Sequence, residues 1–202
     1  EAALKTMADE IGHAPRLALL IDLPEDAAKA KLIAAGHDEE SAQQRCMLFK
    51  AQSKGLIDEL ERRSILHKVD GTKPLAEQLG AARALLDSVT RGTVSGGSSS
   101  SAAAESSNAL GERVVLVMGA PGAGKATQCA KLAAKYGCAH LQLEQLMRSE
   151  VREETATGRA IAEMVKGGKI VPAHLYLALL KGAMAKLPDQ AKPCLVDGFP
   201  RS

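Results

Sequence analysis

A glycine-rich segment directly follows a short apolar run and directly precedes a stretch with helical periodicity. The apolar run covers residues 114–118, and the glycine-rich segment, GAPGAGKATQ, runs from Gly119 to Gln128. Glycines let successive backbone N–H groups turn toward one anion, and the N-terminus of the following helix adds partial positive charge. Lys125 stands where its side chain can reach the outer phosphates of a nucleotide. This order of strand, glycine-rich turn and helix therefore predicts a phosphate-binding loop.

The loop departs from the strict phosphate-loop pattern at one position. Ala126 follows the lysine, and the hydroxyl comes one residue later, at Thr127. A glycine-rich loop with a surface lysine is the alternative interpretation of this segment taken alone.

A second segment, LVDGFPR at residues 195–201, strengthens the interpretation as a phosphate site. It ends a short apolar strand with Asp197 and places Arg201 just beyond the strand. In open α/β sheets, ligands bind at the carboxyl ends of the strands. An aspartate there can hold Mg²⁺ through water, and an arginine can bind a phosphate with two hydrogen bonds. Taken singly, this segment indicates only a turn.

Four segments of the chain resemble the adenylate kinase family of nucleoside monophosphate kinases, which includes the UMP/CMP kinases. The family's GxPGxGKGTQ is represented by GAPGAGKATQ, and its DGFPR is present unchanged at residues 197–201. Residues 136–148, YGCAHLQLEQLMR, resemble the family's YGxxHLSTGDLLR, and residues 166–172, KGGKIVP, resemble its KGxxVP. The resemblance implies transfer of the γ-phosphoryl group of ATP to a nucleoside monophosphate, with Mg²⁺ accompanying ATP.

The resemblance also implies a role for individual residues. The ATP-binding residues are expected to be Gly119, Pro121, Gly122, Ala123, Gly124, Lys125, Ala126 and Thr127. The catalytic residues are expected to be Lys125, Arg45 and Arg201. Arg148, Val171 and Arg201 are expected to bind the acceptor nucleotide, and Asp197 the metal. A solvated helix residue is the alternative for Arg148.

The order of the segments differs from that of the family. DGFPR falls near the middle of the family's domain, whereas here it stands at residues 197–201 of 202. Residues 1–91 resemble the half that normally follows, and residues 113–202 the half with the phosphate loop. Residues 92–112, rich in Gly, Ser and Ala, are predicted to form a flexible linker. The chain is either a circular permutant or a window on a protein with tandem kinase copies, and we favour the tandem window.

The fold implied by the resemblance is a three-layer α/β/α arrangement with a five-stranded parallel sheet in the family's order 2-3-1-4-5 and the lid largely absent. In that order the strands map to residues 139–142, 194–197, 114–118, 17–23 and 65–69. The central strand comes from one half and its neighbour from the other, so docking of the halves would cover two apolar strand edges. We therefore predict that the two halves complete one domain.

Several positions depart from the family's pattern. Leu143-Glu144-Gln145 replaces the family's Thr-Gly-Asp, so the acceptor base stays open between AMP, CMP and UMP. Ala3 stands where the family has Gln or Asn. The family's lid and its arginines are replaced by a sequence that runs from Lys31 through Gly36 directly into the next helix. Arginines that contact a transferring phosphoryl group can be worth about a thousandfold in rate, so reduced activity is expected.

Three hypotheses remain: a nucleoside monophosphate kinase, a nucleotide-binding module without turnover, and a piece whose halves pair with partners elsewhere. A net charge of +2 gives no reason to expect a nucleic-acid or membrane partner. The expected partners are ATP, a nucleoside monophosphate and other kinase copies in the same parent chain. The four cysteines are scattered and resemble small buried hydrophobes in a reducing compartment, so a cytoplasmic location is expected.

Overall fold

The computed structural model describes residues 15–90, 114–167, 171–187 and 194–198, which form an α/β fold with one parallel sheet. The strands are β1 (Leu17–Asp22), β2 (Leu66–Asp70), β3 (Val114–Gly119), β4 (Ala139–Gln142) and β5 (Cys194–Asp197). The helices are α1 (Glu25–Ala34), α2 (Glu39–Arg62), α3 (Leu75–Thr90), α4 (Lys125–Tyr136), α5 (Leu143–Arg152), α6 (Ala156–Lys166) and α7 (Ala173–Ala185). None of the helices in these ranges combines the length and apolar character needed to cross a membrane.

The five strands lie in the order β4-β5-β3-β1-β2, and all neighbours are parallel. This confirms the predicted sheet order, with strand ends that differ from the prediction by one residue. In the central register Leu19 of β1 lies opposite Val117 of β3, and Val117 lies opposite Asp197 of β5. The sheet therefore contains strands from both sides of residues 92–112. The linker itself and the predicted first helix lie outside the described residues, and the domain boundaries stay predictions.

Helices cover both faces of the sheet, which is why β3 is apolar and buried at all six positions. On one face, Leu116 and its neighbours pack against side chains of α2 such as Leu60 and against α5, α6 and α7. On the other face, Val117 and Leu19 pack against α1, α3 and α4, including Leu132 of α4. This is the predicted three-layer arrangement.

Helices α1 and α2 are separated only by residues 35–38. The carboxylate of Asp38 accepts a hydrogen bond of 2.8 Å from the backbone N–H of Ser41 and so caps the N-terminus of α2. A connection of this length has no room for a lid, which confirms the prediction that the lid is largely absent.

Gly158 of α6 lies against the backbone of α5. A Cβ atom at this position would stand 2.0 Å from the carbonyl oxygen of Glu150, and no rotamer change can relieve a clash with backbone. We expect Gly158→Ala to lower the free energy of unfolding by about 2 kcal/mol or more, measured by urea denaturation. Gly182→Ala in α7 is the control, because nothing lies within 4 Å of its added Cβ, and it should be neutral or stabilising. Equal urea midpoints for the two variants would contradict this packing.

Candidate functional site

The segment between β3 and α4 forms a tight glycine loop. Gly122 and Gly124 have φ angles of 78° and 84°, in the left-handed region that favours glycine. Gly124 is the N-cap of α4, and without a side chain it leaves the first N–H groups of that helix uncovered. Uncovered N–H groups at a helix N-terminus favour an anion. The backbone of this loop is therefore suited to a phosphate.

The back of the loop rests on the neighbouring strand. A Cβ atom on Gly119 would stand 2.8 Å from the carbonyl oxygen of Ile21 in β1, so only glycine permits this approach. Ala120 and Ala123 are buried, and the N–H of Ala123 donates to the carbonyl of Ala120 at 3.1 Å. The opposite side of the loop faces outward, with Gly122, Gly124, Ala126 and Thr127 exposed.

Lys125, the first residue of α4, folds its side chain back over the loop. Its ammonium nitrogen Nζ donates to the carbonyl oxygens of Gly119 at 2.9 Å and Ala120 at 3.1 Å. The ammonium group is thus held at the end of the central strand, beside the exposed amides of the loop. A phosphate bound by these amides would lie within reach of this positive charge.

A cavity of about 480 Å³ opens in front of the loop, within the size range of small-molecule sites. Three further elements add charged side chains to it: Arg45 from α2, Arg148 from α5 and Asp197 from the end of β5. The structure thus brings most of the predicted site residues to one cavity. The predicted residues that line it are Arg45, Pro121, Gly122, Gly124, Lys125, Ala126, Thr127, Arg148 and Asp197.

An adjoining cavity of about 420 Å³ extends between the loop and α2. Arg45, Lys125 and Glu144 line both cavities. Sequence analysis missed Phe49 and Gln52, which line the second cavity from α2. Their spacing from Arg45 along one helix face was the only available signal, since such spacing brings side chains to the same side of a helix.

Arg148 is held by a neighbouring carboxylate. Its guanidinium nitrogen Nη2 donates to Oε1 of Glu144 at 2.6 Å, one helical turn earlier in α5. The side chains are 77% and 55% exposed, so the ion pair is well solvated. The residue that replaces the family's glycine therefore places a negative charge at the cavity, next to the arginine predicted to bind the acceptor.

Asp197 is 8% exposed and lies opposite Val117 in the register of the sheet, at the cavity wall. Its Oδ2 lies 3.8 Å from Nε2 of His140 in β4. Burial, followed by the negative charge of Asp197, raises the pKa of the Cys129 thiol in α4. Mg²⁺ prefers oxygen ligands, and the carboxylate of Asp197 and hydroxyl of Thr127 both belong to residues lining the cavity. These residues fit a hydrated Mg²⁺ that accompanies a nucleotide.

Three predicted residues that the structure describes lie elsewhere or only beside the main cavity. Gly119 lines the adjoining cavity, and Ala123 is buried beneath the loop. Val171 is 4% exposed and belongs to the apolar core that contains α7, away from both cavities. Arg201 lies outside the described residues. The roles of these residues stay predictions.

Comparison with known proteins finds similarity over the second half of the chain. Residues 117–202 match the family model for adenylate kinase. Adenylate kinase isoenzyme 1 of Oryctolagus cuniculus is 40% identical over 89 residues, which cover 44% of this chain and 46% of the relative. Adenylate kinase 1 of Schistosoma mansoni is 44% identical over 89 residues, covering 44% and 45%. UMP-CMP kinase 3 of Oryza sativa subsp. japonica is 42% identical over 98 residues, covering 47% and 46%. The chain spans about half the length of these curated relatives.

Proposed function

We propose, from the match of residues 117–202 to the family model for adenylate kinase, that the protein is a nucleoside monophosphate kinase that uses ATP. One observation carries the proposal: a single cavity brings together the glycine loop, the ammonium group of Lys125, two arginines and a carboxylate. Phosphoryl transfer depends on positioning and on neutralising negative charge, and this cavity supplies groups for both.

The loop is proposed to hold the phosphates of ATP. The backbone amides of Gly122 and of Gly124 to Thr127, with the N-terminus of α4, would bind phosphate oxygens. Lys125 would exchange its two carbonyl partners for phosphate oxygens, which are stronger acceptors because they are charged. Asp197 and Thr127 would hold Mg²⁺, which neutralises phosphate charge when bound.

The arginines are proposed to bind the transferring phosphoryl group and the phosphate of the acceptor. Arg45 lines both cavities, so its guanidinium can reach a group that passes between two substrates. Arg148 would bind the acceptor phosphate once it leaves Glu144. Arg201, which stands three residues after Gly198, is proposed as a second ligand of that phosphate, and Val171 as a residue of the acceptor subsite.

Nucleoside diphosphate formation tests this proposal directly. The protein is incubated with ATP and Mg²⁺ plus AMP, CMP or UMP, and diphosphate is followed by a coupled assay. Turnover with at least one acceptor supports the proposal and identifies the acceptor base. ATP binding without diphosphate from any acceptor would instead identify a nucleotide-binding module, and the kinase proposal would be wrong.

Replacing Glu144 with Gln should improve binding of the acceptor. The carboxylate of Glu144 occupies Arg148 and repels a phosphate dianion, whereas the amide keeps the size and removes the charge. Repulsion of about 1 kcal/mol between solvated charges corresponds to a KM for the monophosphate that is lower by about fivefold, with kcat little changed. Initial rates against monophosphate concentration measure this effect. Glu163→Gln on the exposed face of α6 is the control and should leave KM unchanged; an equal KM in both variants contradicts the role of Glu144.

We also propose that residues 15–90 act in the same catalytic unit as the loop, since β1 pairs directly with β3. Other kinase copies in the parent chain remain part of this proposal, supported by the unusual order of the segments. A cytoplasmic location is supported by the four cysteines, which are all buried and form no disulfide with one another.

A further inference from the structure

Three potential metal ligands from three elements meet beneath the phosphate loop. Cys129 of α4, His140 of β4 and Asp197 of β5 each offer one ligand atom, and these atoms all lie within 4.8 Å of one another. The cluster stands behind the cavity wall formed by Asp197. Only the aspartate has a place in the proposed kinase reaction, so the cysteine and the histidine need another explanation.

The ring nitrogen Nε2 of His140 can take a bonding partner that the described residues do not supply. Nε2 is buried and makes no hydrogen bond within the part of the chain that the structure describes. Its separation of 3.8 Å from Asp197 Oδ2 is too long for a hydrogen bond. A buried polar atom without a partner costs free energy, because it has lost its hydrogen bonds to water. An ion between the two side chains would remove this cost.

The donor set selects the kind of ion. Thiolate, imidazole and carboxylate are the ligands of Zn²⁺, whereas Mg²⁺ prefers oxygen alone. Zinc bond lengths place tetrahedral ligand atoms about 3.3–3.8 Å apart, so ligand atoms that lie within 4.8 Å of one another need to close by at most about 1.5 Å. Binding would convert the Cys129 thiol to thiolate and release its proton to water.

Cavities on two sides give an ion access to the cluster. Asp197 lines the cavity in front of the loop. His140 lines a different cavity of about 460 Å³ between β4 and α5. Cys129 itself is fully buried. The open position expected of a zinc ion with three protein ligands could then hold water from either side.

We propose that Cys129, His140 and Asp197 form a binding site for one Zn²⁺ ion, with water as the fourth ligand. The ion would join α4, the helix that begins with Lys125, to the two strands at one edge of the sheet. This site lies beyond the proposed kinase function and needs no nucleotide.

Titration with Co²⁺, a spectroscopic substitute for Zn²⁺, tests the site in the absence of nucleotide. The reduced protein should bind one equivalent and show a thiolate-to-cobalt absorption band, which one equivalent of Zn²⁺ abolishes by displacement. Cys129→Ser should remove the band. Cys194→Ser is the matched control, because Cys194 is also buried but lies outside the cluster, and this variant should keep the band.

A second variant covers the case in which Cys129→Ser fails to fold. His140→Gln should weaken Co²⁺ binding at least tenfold, and Zn²⁺ should raise the Tm of the unaltered protein but not that of His140→Gln. No thiolate band in the unaltered protein, or unchanged Co²⁺ affinity in either cluster variant, overturns the proposal. Because none of these measurements uses ATP or a monophosphate, their outcome is independent of whether the chain is a kinase.

Discussion

Replacing Lys125 with alanine is expected to lower the rate of phosphoryl transfer by about a thousandfold and to weaken ATP binding. The ammonium group is held by two carbonyl oxygens at the end of β3, beside the exposed loop amides. In the proposed reaction it would lie beside the charge that develops on the transferring group. The helix start and the glycine conformations do not depend on this side chain, so the fold should persist.

The experiment compares Lys125→Ala with Lys131→Ala. Both lysines are on α4, and Lys131 is exposed on the helix away from the loop cavity. Diphosphate formation gives the rate, calorimetric titration with a non-hydrolysable ATP analogue gives the affinity, and circular dichroism monitors folding. Lys131→Ala should retain full activity. Equal activity of the two variants would show that the loop does not bind the reacting phosphates.

Replacing Leu19 with alanine is expected to destabilise the whole sheet, by about 2–5 kcal/mol of unfolding free energy. Leu19 is 2% exposed and lies between His67 of β2 and Val117 of β3. Its side chain fills the core that also contains Leu132 of α4. The cavity left by alanine would therefore be lined by residues from both sides of the predicted linker.

Urea denaturation measures the loss of unfolding free energy in Leu19→Ala, and amide hydrogen exchange shows which strands are destabilised. If the two halves complete one domain, amides of β3 and β5 should lose protection together with those of β1 and β2. Ile33→Ala, at a position in α1 that is 44% exposed, is the control and should cost less than about 1 kcal/mol. Loss of protection confined to residues 15–90 would contradict the prediction of one domain.

The phosphate loop could be predicted from sequence because its conformation depends on adjacent residues. Glycines at 122 and 124 permit positive φ angles, and an apolar strand and an amphipathic helix flank them. The order of the strands required the resemblance to adenylate kinases, since no local pattern states which strands are neighbours. The conclusion that β1 borders β3 therefore rested on the family and was confirmed by the pairing of Leu19 with Val117.

Contacts between distant residues could not be predicted in this way. Gln128, the last residue of the glycine-rich segment, is buried and donates a hydrogen bond to Gln78 of α3, and no spacing in the sequence relates these two residues. The same is true of the cluster of Cys129, His140 and Asp197: the sequence indicated a buried cysteine and a metal-binding aspartate, but not that the two lie close to each other and to His140. Glu144 was recognised as a departure from the family, but its ion pair with Arg148 became evident only from side-chain positions.

The sequence by itself determined where a phosphate can bind, because glycine conformations, helix starts and strand ends are set by short runs of residues. Tertiary structure alone decided what surrounds the predicted phosphate site. Arg45, Arg148 and Asp197 reach one cavity from α2, α5 and β5 because the helices pack on both faces of a sheet built from distant segments. Side-chain distances across such a sheet depend on the packing of the whole core, which no local pattern encodes.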